Sequence, residues 1–217
     1  MLRALSTDPL GFLTSLLLSI PGLLLAFSMH EFAHGFAAYK MGDNTAKYSG
    51  RLSLNPLHHM DPIGTLCLFL CGFGWAKPVP INPYNFRNRR LGIIVVSLAG
   101  PFMNFVIALI SAFFMVLIRN YAPFNNFTEF LYSVLLYSMS LNVGLMCFNL
   151  IPIPPLDGSK VLLEFLPYRY RNTFYQLERY SAFILMALLF TDMLNPILGT
   201  MRSFVFNVIN MILGLIF

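Results

Sequence analysis

Two histidines four residues apart, with a glutamate beside the first, stand in the run Phe27-Ser28-Met29-His30-Glu31-Phe32-Ala33-His34-Gly35. On an α-helix, positions i and i+4 share a face, so His30 and His34 can aim ring nitrogens at one point. Two imidazoles at one point begin a zinc site, and Glu31 can take a proton from a water held there. Two core histidines satisfied by hydrogen bonds would show the same spacing. The surroundings decide between the two. From residue 10 to residue 38, His30, Glu31 and His34 are the ionisable residues in an otherwise apolar stretch. About 20 apolar residues suffice to cross a bilayer, and ionisable groups at that depth are costly enough to point to chemistry.

The remaining sequence must supply the elements that hold these groups. Of 217 residues, 57% are hydrophobic and 11% charged, where soluble domains carry about 25% charged residues. The chain therefore reads as an all-α polytopic membrane protein, a single integral domain over residues 1–217. Its core is expected at 10–166 and its C-terminal helices at 180–217. Apolar spans are predicted at 10–39, with an irregularity at Pro21-Gly22, at 91–118, interrupted by Gly100-Pro101, and at 130–150. Two further apolar helices, 180–194 and 196–217, bring the expectation to about five to six transmembrane helices. The N-terminal apolar run is too long for a signal peptide and has no small-residue cleavage site.

Between the first two spans the pattern changes. Alternation over 48–54 predicts a β-hairpin. The apolar run 63–73 is too short to cross and reads as a re-entrant segment. Three prolines within 74–83 exclude a helix there. A short re-entrant β-hairpin or loop is thus expected after the first helix. A short helix is predicted at 159–166, followed by a charged loop or interfacial helix at 167–179.

The net charge of +5 reflects basic residues in loops between spans, which argues for membrane topology and against nucleic-acid binding. With the 45–86 segment re-entrant, all basic residues except Arg3, Arg119 and Arg202 fall where the first span ends. The positive-inside rule makes that face cytoplasmic and the N-terminus external, in the cell membrane. His34 and His30 precede Lys40 by six and ten residues, which at 1.5 Å per residue puts them roughly 9–15 Å inside that face. Cys67, Cys71 and Cys147 read as small hydrophobes, and their odd number argues against a disulfide framework.

A catalytic zinc takes three protein ligands. The candidates near the same face are Asp157, His58, His59, Asp61 and Glu164. Asp157 follows a proline-broken backbone, Ile151-Pro152-Ile153-Pro154-Pro155-Leu156, at the end of the third span. Such a break can aim a carboxylate at a metal, and it can equally make Asp157 the N-cap of the next helix. His58 and His59 read as interfacial, with His59 and Asp61 orienting the re-entrant segment. Asn104 is a polar residue on an apolar helix, suited to interhelical hydrogen bonding or to catalysis.

Three stretches in order, His30-Glu31-Phe32-Ala33-His34, Leu98-Ala99-Gly100-Pro101-Phe102-Met103-Asn104 and Asn149-Leu150-Ile151-Pro152-Ile153-Pro154-Pro155-Leu156-Asp157-Gly158, resemble the site-2 protease family of intramembrane zinc metalloproteases. The run Arg51-Leu52-Ser53-Leu54-Asn55-Pro56-Leu57-His58-His59-Met60-Asp61-Pro62-Ile63-Gly64 and the 74–83 loop look like its small bacterial branch without an appended PDZ domain. The likeness spans about residues 25–165. It implies one Zn²⁺ per chain held by His30, His34 and Asp157, with Glu31 as general base. It also implies a transmembrane protein as substrate, the lipid bilayer as surroundings, and regulated intramembrane proteolysis with a regulatory membrane partner of unknown identity. Pro154 stands where the family has asparagine, so Asn104 or Asn149 would have to supply transition-state or substrate support. The rival readings are a catalytically inactive membrane scaffold, which would have lost a ligand or the glutamate, and an ion or proton transporter, which would show internal repeats. All four residues are present and no repeat is visible.

Overall fold

The computed structural model describes residues 8–64, 67, 76–123 and 125–217. The re-entrant segment expected at 63–73 lies outside them except for residues 63, 64 and 67, and Cys71 lies outside them too. The helices are α1 (Pro9–Met41), α2 (Thr45–Tyr48), α3 (Arg89–Tyr121), α4 (Asn126–Asn149), α5 (Asp157–Phe165), α6 (Tyr168–Phe190) and α7 (Asn195–Gly214). Short 3₁₀ turns occur at Pro56–His58 and Pro83–Asn85.

Helix ends follow local chemistry. The Asp8 side chain accepts from the Gly11 N–H at 2.9 Å, with Pro9 at the first helical position, and α1 begins there. It stops at Gly42, whose φ of 112° lies in the left-handed region that favours glycine. Asn125 and Thr128 form a reciprocal capping box at the start of α4. Pro21 and Pro101 lie inside α1 and α3, which continue through both.

Among the described residues, four helices, α1, α3, α4 and α7, are long and apolar enough to cross a membrane. That does not confirm the expected five to six. The helix predicted at 180–194 is the end of a longer one, α6, whose first half carries Arg169, Arg171, Glu178 and Arg179. The predicted β-hairpin is not seen at residues 48–54 either. No strand forms among the described residues, and the segment opens with one helical turn, α2. The one bridge among the described residues joins Met60 to Ala76. The apolar side of the alternation is met by packing instead of pairing. A Cβ on Gly35 of α1 would lie 3.4 Å from the Leu52 side chain and 3.2 Å from that of Val79.

The crossing helices pack through small residues. A Cβ on Gly22 would approach the Ser138 Cα at 2.6 Å, so α1 and α4 touch backbone to backbone. The Ser111 hydroxyl of α3 donates to Ser138 at 3.2 Å. Ala108, Ala112, Val143, Cys147, Val205 and Ile209 build the core between α3, α4 and α7. Phe217 meets Phe113 at 5.6 Å between ring centres, near the far end of α3, so α7 runs parallel to α3.

Asp43 ties α1 to the loop that leads into α3. It is fully buried and accepts from the Thr45 N–H and hydroxyl, the Asn82 N–H (2.7 Å) and the Asn85 amide (2.8 Å). Burial works against its charge, but these hydrogen bonds outweigh it and hold the carboxyl below its ordinary range. The Arg87 N–H donates to the Met41 carbonyl at 3.0 Å, so α1 ends and α3 begins on the same face.

Candidate metal centre

His30 and His34 both lie on the buried side of α1. The His34 Nδ1 is 2.7 Å from the Val96 carbonyl of α3. A carbonyl only accepts, so Nδ1 carries the hydrogen and Nε2 keeps a lone pair. That Nε2 lies 3.0 Å from the Nε2 of His30 and 3.0 Å from Oδ2 of Asp157, and His30 Nε2 lies 3.2 Å from the same oxygen. Among the described residues this is the one group of three such side chains close enough to share a metal ion. Its sides are close to the roughly 3.3 Å edge of a tetrahedron of donors around zinc at about 2.0–2.1 Å. A lone pair facing another nitrogen and a carboxylate at 3.0 Å is repulsive, and a cation among the three turns that repulsion into ligation. The donor set fits zinc.

Asp157 reaches the histidines because α5 starts where α4 has just broken. It is the first residue of α5; the N-cap is Leu156, which makes no side-chain cap. The capping alternative for Asp157 is therefore not what the structure contains. A Cβ on Gly158 would fall 2.8 Å from the Ile151 carbonyl oxygen, so glycine lets the start of α5 press against the end of α4. The second oxygen of Asp157, Oδ1, accepts from the Lys160 ammonium at 2.9 Å. Gly100 clears space on the third side. A Cβ there would sit 2.7 Å from His30 Nε2 and would also collide with His34 Nε2.

Glu31 Oε2 accepts from the Val79 N–H at 2.9 Å. Val79 lies in the segment between the Met60–Ala76 bridge and the turn Pro83–Asn85, so this segment is anchored beside the histidines. Pro78 and Pro80 flank Val79 and carry no N–H.

The other expected residues are placed elsewhere. Asn104 is fully buried on α3, one turn beyond Gly100, and neither amide atom has a hydrogen-bond partner among the described residues. Asn149 donates to the Leu145 carbonyl of its own helix at 3.1 Å. His59 is buried with Nε2 2.6 Å from the Ser53 carbonyl, His58 is exposed, and Asp61 accepts from the Gly64 N–H at 2.8 Å. None of these three joins the triangle, and neither does Glu164. Sequence reasoning missed Lys160, Val79, Val96 and Gly100 as neighbours of the site. The i, i+3 spacing of Asp157 and Lys160 was a readable signal; the two backbone contacts left none.

Two histidines one turn apart on a buried helix face and a carboxylate brought from a distant break give this helical, apolar chain the donor set of a metal centre. A family profile described as peptidase family M50 matches residues 125–191, which include Asp157. The chain is 39% identical over 186 residues to a Bacillus subtilis (strain 168) protein named "Putative zinc metalloprotease YwhC", covering 83% of this chain and 84% of that one. It is 30% identical over 192 residues to "Putative zinc metalloprotease Rip2" of Mycolicibacterium smegmatis, covering 86% and 72%. It is 36% identical over 139 residues to "Putative zinc metalloprotease MJ0611" of Methanocaldococcus jannaschii, covering 63% and 64%. No solved structure matches the chain. The chain belongs to peptidase family M50, the site-2 zinc metalloproteases.

Proposed function

We propose that the protein is an intramembrane zinc endopeptidase that hydrolyses peptide bonds in or near the transmembrane segments of other membrane proteins. The observation that carries this reading is the 3.0–3.2 Å triangle of His30, His34 and Asp157, with Glu31 one residue away and already oriented. In this reading the three residues hold one zinc ion. Zinc bound there supplies Lewis acidity to a water molecule and to the scissile carbonyl. Glu31 keeps Oε2 on the Val79 N–H, takes the proton of the attacking water on Oε1, and returns it to the leaving amine. Lys160 holds Oδ1 of Asp157, leaving Oδ2 to face the two histidines. Asn104 offers a buried amide one turn from Gly100 to support the substrate or the transition state; Asn149, bonded to its own helix, is the weaker choice.

A transmembrane helix hides its peptide bonds in its own hydrogen-bond ladder, so the substrate must enter locally unwound. Leu52 and Leu54 make no backbone hydrogen bond among the described residues, whereas the Lys77 and Val79 N–H groups are engaged and Pro78 and Pro80 have none. The free edge for an extended substrate is therefore the one at Leu52 and Leu54. The whole chain acts as one membrane domain, with residues 10–166 as catalytic core and the site nearer the cytoplasmic face of the cell membrane.

The test is zinc content and cleavage of a reporter transmembrane substrate by the wild type and by Glu31→Gln. The variant should keep its zinc and lose roughly 10²–10⁴-fold in turnover, the range for a general base. Cleavage at the parental rate at equal expression would refute the reading.

A further inference from the structure

In the segments that follow α1, the chain forms a polar surface cavity lined by none of the metal-centre residues. Its volume is ≈ 340 Å³, and it is lined by Ser49, Arg51, Leu57, His58, Met60 and Lys77 together with Gly50. No carboxylate is among the described residues that line it. We propose that it binds the phosphate oxyanion of an anionic phospholipid headgroup.

The cavity is held in shape. Arg51 Nη2 donates to the carbonyls of Lys77 (2.8 Å) and Pro78 (3.2 Å). The Lys77 N–H donates to the His59 carbonyl at 2.8 Å, His59 bonds the Ser53 carbonyl, and Met60 pairs with Ala76. The three chain segments that carry Arg51, His58 and Lys77 are thus bonded to one another. Arg51 Nε is buried and has no partner among the described residues. An unpaired buried donor on a guanidinium is costly, and an oxyanion is its natural acceptor. The side chains of Lys77 and His58 are exposed and free to close on the same group.

The surroundings choose a lipid. Leu57 lines the cavity and is 77% exposed, and Leu54 and Ile63, three residues along the chain from the lining Leu57 and Met60, are 58% and 65% exposed. Cationic groups beside bare apolar side chains, in a chain of membrane-spanning length and composition, match a charged headgroup with acyl chains below it. A phosphatidylcholine head brings its own cation, which Arg51 and Lys77 repel. A headgroup with net negative charge has no such conflict.

The experiment uses the full-length protein in a neutral maltoside detergent, with bound lipid counted by native mass spectrometry. Palmitoyl-oleoyl phosphatidylglycerol, the corresponding phosphatidylcholine and inorganic phosphate are titrated in turn. The variants are Lys77→Gln, His58→Gln and the pair together, all at exposed side chains. The wild type should retain phosphatidylglycerol at least about tenfold more tightly than phosphatidylcholine. The double variant should lose about that preference, as for loss of charge-assisted hydrogen bonds, with an unchanged thermal midpoint. Displacement of phosphatidylglycerol by inorganic phosphate supports recognition of the oxyanion alone; retention against phosphate supports the whole lipid as ligand. Equal retention of the two lipids, or phosphatidylglycerol binding unaltered in the double variant, overturns the proposal.

Discussion

Asp157 divides its two oxygens between different partners. Oδ2 lies within 3.2 Å of both imidazoles, and Oδ1 takes the Lys160 ammonium. Under the zinc reading, Lys160 is a positioning residue: without it Oδ1 can swing towards the ion and the single-oxygen geometry is lost. Groups of this kind typically change metal affinity about 10–100-fold. Lys160→Met should weaken zinc by that much in a competition against a chelator, and Asp157→Ala should weaken it further. Zinc held at parental affinity by Asp157→Ala would move the third ligand elsewhere. At this scale much was readable in the sequence, because His30, Glu31 and His34 are neighbours on one helix. Asp157, 123 residues from His34, was one candidate of five, since its proline-broken backbone suited a ligand and an N-cap equally, and the need for a third ligand with the family resemblance singled it out. The contacts of Val79 and Val96 were not, because any residue offers the same backbone group.

Helix packing decides whether those side chains can meet, and two glycines separate the contributions. At Gly100 an added methyl would run into both imidazoles, and α3 offers it no other direction. At Gly22 an added methyl would meet the Ser138 Cα at 2.6 Å and touch no candidate ligand. Gly100→Ala should therefore lose zinc at a thermal midpoint near the parental one. Gly22→Ala should keep its zinc and lose about 1–3 kcal/mol of stability, the usual cost of overpacking. Zinc measurement and thermal unfolding on the two variants check this, and equal zinc retention would count against the role given to Gly100. The long apolar runs 91–118 and 130–150 were legible as helices because hydropathy reports the solvent directly. The 48–54 alternation misled because Leu52 finds its apolar partner on α1 and not across a strand pair. The α6 boundary was missed because a helix can continue from a polar, exposed half into an apolar one without any breaker in between.

For the molecule as a whole, crossing by the four long apolar helices of the described residues would place the two ends of the membrane core on one side. Arg87 bonds Met41, so α1 ends where α3 begins. The short connection between α3 and α4 returns the chain to that face. Phe217 then meets Phe113 near the far end of α3, which sends α7 away from it again. Arg202, expected at the outer side, instead packs against Gly144 towards the end of α4 nearer the metal centre. The basic face is the one where Lys40, Lys47, Arg51, Arg89 and Arg90 gather, so it should be cytoplasmic. Cysteine labelling in intact cells tests both points on a background with Cys67 and Cys71 replaced by serine; Cys147 is fully buried. Tyr48, 83% exposed, marks the basic face, and Ile216, 58% exposed, marks the end of α7. Tyr48→Cys should react with an impermeant maleimide only after permeabilisation, and Ile216→Cys should react in intact cells. A fifth crossing helix would put Ile216 with Tyr48, and both cysteines would then be protected together. Labelling of Tyr48→Cys alone in intact cells would invert the molecule and put the candidate metal centre nearer the outer face.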